Sequence, residues 1–162
     1  MGEFAERIGL SKLKSVSVLV PNVLGKTGLE TGEFVETMVK KIKPDAVIVI
    51  DALASASIKR IFRTVQISNG GISPGSGVKN SRKEINFKTL KVPVIAMGVP
   101  TVMTAENLAF ELCKTEPEIG EEMIVTPKDN DLLCHRISEI LASALNEALQ
   151  PDLDREILKA LV

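Results

Sequence analysis

Apolar residues enter this chain in short bursts separated by polar or turn-forming stretches. Ser15 to Val20 (SVSVLV) alternates in part and stops at Pro21-Asn22, which predicts a strand ended by a turn. Thr27-Gly28-Leu29-Glu30 has the form of a capping box, and Leu29, Val35, Met38, Val39 and Ile42 follow at helical spacing up to Lys43-Pro44. Ala46 to Ile50 (AVIVI) is short, β-branched and apolar on both faces, the pattern of a central strand covered by helices on each side of a parallel sheet. Residues 15–51 therefore predict a βαβ unit.

Beyond Asp51 the chain enters a loop or short helix, and Ile61 to Ser68 alternates as a half-exposed strand. A cluster of breakers follows, with Gly70, Gly71, Pro74, Gly75 and Gly77 in a loop that stays polar through Lys83. Pro93 to Met97 (PVIAM) predicts a second buried strand, ended by Gly98-Val99-Pro100-Thr101, and Thr104 to Cys113 the next helix. After an acidic connection from Lys114 to Glu122, Thr126-Pro127 places a capping hydroxyl before a first-turn proline. Leu132, Leu133, Ile137, Ile140, Leu141, Ala144, Leu145, Ala148 and Leu149 then form one apolar stripe, the longest predicted helix, closed by Pro151. Asp152 to Leu161 predicts a short terminal helix.

Composition narrows what such an α/β chain does. Its 162 residues are 44% hydrophobic and suffice for one globular domain over residues 1–162. Aromatics are five Phe, with no Trp or Tyr, so base-stacking platforms are lacking. A net charge of -1 gives no long-range attraction to nucleic acid or an anionic membrane. The longest apolar run, Ala46 to Ile50, is far short of the roughly 20 residues of a membrane span, and the opening residues lack a signal peptide's pattern, so a cytoplasmic chain is expected. Cys113, Cys134 and the lone His135 make no metal-binding spacing, which predicts packing or surface roles and no metal.

Few residues remain to carry chemistry. Asp51 stands at the predicted carboxyl end of a buried parallel strand, where open α/β sheets bind ligands; capping a helix from Ala52 explains it equally well. The loop Asn69 to Asn80 is glycine-rich enough to aim backbone N–H groups at an anion or oxyanion, and is also a plain turn. Gly25-Lys26-Thr27 imitates the end of a P-loop, but Val20 stands where its first glycine is needed. No G-x-S-x-G elbow accompanies His135, so a serine triad is not expected. Amide hydrolysis by two carboxylates in unlike environments remains, with Asp51 as one and Glu30 as the sort of residue that would be the other. Lys59, Arg60, Arg63, Lys79, Arg82 and Lys83 flank this region as a solvated face or as a grip on an acidic partner segment.

Taken in order, PNVLGKTGLETGEFV (21–35), KPDAVIVIDALAS (43–55), VQISNGGISPGSGVKNSRKE (65–84), VPVIAMGVPTV (92–102) and MIVTPKDND (123–131) closely resemble the germination proteases of spore-forming bacteria. The resemblance implies a three-layer α/β sandwich with a mostly parallel sheet, similar to the hydrogenase-maturation endopeptidases. It also implies an atypical aspartic peptidase without cofactor, made as a zymogen, that degrades small acid-soluble spore proteins in the spore core as a homotetramer. Asp51 matches one of the family's two aspartates, and Gly71, Ser73, Gly75, Ser76 and Gly77 would line the cleft. The family's second aspartate lies on an N-W-N-V-T-P-D-A-L-G-P loop that has no counterpart in these residues, and the propeptide region and much of the central connection are missing too. The chain thus resembles the family's carboxyl-terminal portion. It is expected either to supply one half of a carboxylate pair or to act as a catalytically silent binding or oligomerisation module, and in both cases to expose a sheet edge.

Overall fold

The structure, a computed structural model, describes residues 13–21, 30–75, 83–114, 123–153 and 156. The chain forms two compact units, Met1–Leu19 with Asp131–Val162, and Val20–Asn130.

The larger unit opens with helix α1 (Thr31–Ile42), whose Val35 and Val39, one turn apart, are buried. It begins later than the capping-box reading places it. Glu30 is the N-cap, with no side-chain cap bond, and Thr27 lies outside the described residues. Lys43 closes the helix in the left-handed conformation, its N–H bonded to the Val39 carbonyl. Strand β1 (Val47–Ala54) follows and passes straight through Asp51. A single 3₁₀ turn (Ile58–Arg60) leads to strand β2 (Gln66–Ser68). Helix α2 (Phe87–Leu90), strand β3 (Val94–Thr104), helix α3 (Ala105–Cys113) and strand β4 (Ile124–Val125) complete the unit.

The sheet is mixed rather than mostly parallel. Its order is β1-β3-β2, with β3 parallel to β1 and antiparallel to β2, and β4 antiparallel to the far end of β3. The central strand is therefore β3, and β1, predicted to be central, pairs on one side only among the described residues. Nor does β3 stop at Gly98: it runs on through Pro100 to Thr104. Proline is tolerated there because β2 reaches only to Gln66, opposite Gly98, so no strand waits for a Pro100 N–H. The Pro100 carbonyl still accepts from Phe62 N–H at 2.8 Å.

One face of the sheet carries the core. Val35, Val39, Ile85, Leu90 and Val94 are buried together, with Val47, Val49, Ile72 and Val92 packed against them. Burying each such side chain contributes about 1.5–3 kcal/mol. Ile72 and Ile85 bond reciprocally through their backbones at 2.9 and 2.8 Å, which ties the glycine loop to the approach of α2. The Asn86 side chain accepts from Thr89 N–H while Thr89 Oγ1 accepts from Asn86 N–H, a full capping box.

Three further expectations are corrected. Ser15 to Val20 forms no ladder with the described residues: Val18 and Val20 are 81% and 83% exposed, and a segment without a partner is not a stable strand. The βαβ unit thus lacks its first strand. Of the predicted strand from Ile61 to Ser68 only Gln66–Ser68 pairs, because Phe62 turns into the left-handed conformation and breaks the run. Finally, helix α4 (Asn130–Leu149), most of the described part of the smaller unit, begins after Asp129. The Thr126 hydroxyl bonds the Thr101 carbonyl (2.9 Å) and Asn130 Oδ1 (3.0 Å) instead of capping a first turn at Pro127. At its far end Gln150 binds both backbone groups of Lys14, accepting at 2.8 Å and donating at 2.9 Å.

Candidate active site

Asp51 sits within β1, and the helix that it would cap from Ala52 does not form. The ladder begins with Val47 N–H donating to the Pro93 carbonyl, so Val47, Val49, Asp51 and Leu53 bond to β3. The N–H groups of Ile48, Ile50 and Ala52 consequently face the opposite edge, which no strand among the described residues pairs. There the Asp51 Oδ1 accepts from Ala52 N–H at 2.9 Å. The carboxylate is half-buried, and desolvation pushes its pKa above the usual aspartate range, opposed by the Ala52 N–H. It is a carboxyl group that holds its proton more readily than a surface aspartate.

Across the sheet Asp51 is in register with Gly98, and Gly98 with Gln66. These three positions share one face, Asp51 and Gln66 standing about 10 Å apart. The space over Gly98 is filled from β1: a Cβ on Gly98 would lie 2.6 Å from Leu53 Cγ. Residue type alone marks neither Gln66 nor Leu53 as a candidate; the signal for Leu53 is its i+2 spacing from Asp51 on an alternating strand.

The other candidates lie elsewhere. β2 is antiparallel, so from Gln66, level with Asp51, the chain moves through Ser68, level with Ala96, toward the opposite end of the sheet before Gly71. Gly71 and Gly75 have positive φ, Ser73 lies between them, and Ser76 and Gly77 fall outside the described residues. Glu30 Oε1 accepts from Lys83 N–H at 2.6 Å, so this carboxylate is engaged at the start of α1. Beside it Glu36 binds both Lys40 (2.7 Å) and Lys83 (2.6 Å), which hold its pKa down at about 2. Glu111 accepts from Ile58 N–H and Ser57 Oγ, bonds that lower its pKa and clamp α3 to the segment leaving β1. His135 is exposed on α4, 3.9 Å from Glu139, and Cys113 and Cys134 are both exposed. The P-loop-like residues 24–27, with Lys79 and Arg82, lie outside the described residues; Lys59, Arg60 and Arg63 are exposed. Among the described residues no group of acidic, His and Cys side chains could hold a metal, and no helix is long and apolar enough to cross a membrane.

Comparison with known proteins puts this arrangement in context. Residues 6–114 match the profile of the germination protease family. A germination protease of Clostridium perfringens (strain SM101 / Type A) is 40% identical over 176 residues, covering 87% of this chain and 54% of its own length. That of Clostridium tetani is 41% identical over 179 residues, covering 89% and 55%. This chain belongs to the germination protease family. The germination protease of Priestia megaterium is 54% identical over a shorter stretch of 98 residues, 60% of this chain and 26% of its own. The chain spans about half the length of the curated germination proteases it matches. Aligned stretches of 176 and 179 positions also exceed its 162 residues, so those relatives carry residues within the matched region that have no counterpart here.

Proposed function

We propose that this chain supplies one catalytic carboxyl, Asp51, to an endopeptidase that degrades small acid-soluble spore proteins during germination. The observation that carries this reading is the placement of a half-buried carboxylate in mid-strand, on the side of β1 that is unpaired among the described residues. Amide hydrolysis needs one group to activate water and another to protonate the leaving amine. A desolvated Asp51 suits the second task, and a further carboxylate brought close to it would raise its pKa more. That partner carboxylate comes, in this reading, from a polypeptide segment pairing with β1, matching the part of the relatives that this chain does not span. The sandwich similar to hydrogenase-maturation endopeptidases, the homotetramer and the spore-core location belong to the same reading.

Asp51→Asn in the completed assembly is expected to abolish cleavage of a small acid-soluble spore protein with the fold intact by circular dichroism. Unchanged turnover removes Asp51 from the mechanism. A second reading, a silent binding module, draws on the half-length coverage of the relatives. It requires that the 162-residue chain bind the spore protein and that no complementing segment ever restore cutting.

A further inference from the structure

Leu53 is in register with Pro100, which is fully buried. One row back, Gly98 has no side chain, and Leu53 leans into that gap: a Cβ there would stand 2.6 Å from Leu53 Cγ and 3.1 Å from Cδ2. Gly98 is the register partner of Asp51, and Asp51 and Leu53 share a face of β1. The β3 side of Asp51 is thereby filled with hydrocarbon, and the carboxylate is found on the other side, accepting from Ala52 N–H at the edge of β1 away from β3.

We propose that Leu53 and Gly98 are positioning residues for Asp51: the missing side chain at Gly98 lets Leu53 cross onto β3, and Leu53 in turn directs the carboxylate to the sheet edge. Its consequence for turnover rests on the reading of Asp51 as catalytic; the geometry does not. Charge offers no competing account in the sheet, since β3 and β2 carry no ionisable side chain and β1 carries only Asp51. From α1, which packs through Val35 and Val39, Glu36 and Lys40 are bound in their own cluster with Lys83, and Glu111 on α3 is held by Ser57 and Ile58.

The test is a pH titration of the full chain by NMR, following the Asp51 carboxyl carbon and the Ala52 amide. The two are expected to titrate together in the wild type. In Leu53→Ala the Asp51 midpoint is expected to fall toward the ordinary aspartate value of about 3.9, and the Ala52 amide to lose its response. Leu53→Met is expected to restore both. If Leu53→Ala does not fold, Leu53→Val reads the same quantities. Independently, Gly98→Ala is expected to lower Tm, and adding Leu53→Ala to recover part of the loss by removing the overlap. An unchanged midpoint and Ala52 response in the Leu53 variants, or strict additivity in the double variant, overturns the proposal. A shifted midpoint alongside undiminished cleavage by Asp51→Asn leaves the positioning intact and refutes the proposed function.

Discussion

Asp51 reverses the usual sign for an acidic residue. A depressed carboxylate contributes stability that is lost on acidification, but desolvation raises this one, so its charged form costs stability in the folded state. The cost is complete above the folded pKa and vanishes below the unfolded value of about 3.9. Asp51→Asn, whose amide oxygen can still accept from Ala52 N–H, is therefore expected to raise Tm at pH 7, with the gain disappearing below about pH 4. A Tm difference that does not vary with pH would show that the carboxylate is fully hydrated. Glu36 behaves oppositely: Lys40 and Lys83 hold it at about 2, so its contribution is present above the ordinary glutamate range and fades as the pH falls toward 2. Its partner Lys40 is legible as an i,i+4 pair. Lys83, 47 residues away, is not, because only the fold brings it to α1.

Elements were legible where their determinants are local. The helix through Val35 and Val39, the helix ending at Cys113 and the Pro151 stop all follow from residues within a few positions; Thr104, placed inside that second helix by its pattern, is its N-cap and accepts from Asn107 N–H. The Asn86-x-x-Thr89 box is just as local, but the polar stretch around it reads as loop. Strand extent is different, since it depends on what lies across the ladder. β1 continues through Asp51 because Asp51, Ala52 and Leu53 have partners in Gly98, Val99 and Pro100, and the segment from Ser15 to Val20, with the right pattern and no partner, does not form. The glycine loop shows the same dependence. Gly71 has φ +87°, and a Cβ there would lie 2.5 Å from Asn86 Cβ, so its glycine is required by the crossing with residues 85–86. Gly71→Ala is expected to cost about 1–3 kcal/mol in denaturant unfolding. Gly70→Ala, which meets only the Ser68 hydroxyl at 3.3 Å, is expected to cost far less. Equal losses at both positions would mean that the loop is not pinned by Gly71.

At the scale of the molecule, no strand among the described residues pairs with β1 on the side where the chemistry is proposed. The outward N–H groups of β1 alternate with those bonded to β3, and among the described residues Ala52 alone of these finds an acceptor, in Asp51. On the face opposite Asp51, Ile50, Ile67 and Ile95 are exposed around Met97. An open edge beside exposed isoleucines invites a further strand, and the curated relatives are nearly twice the length that this chain matches. If a segment corresponding to that unmatched part is supplied in trans, hydrogen exchange should slow at Ile48, Ile50 and Ala52 and change little at Val47, Val49 and Asp51, whose amides β3 already protects. Such alternation is specific to strand addition; uniform slowing along β1 would mean general stabilisation. Restored cleavage with no protection at Ile48 and Ile50 would place the second carboxylate on a segment that reaches Asp51 by another route.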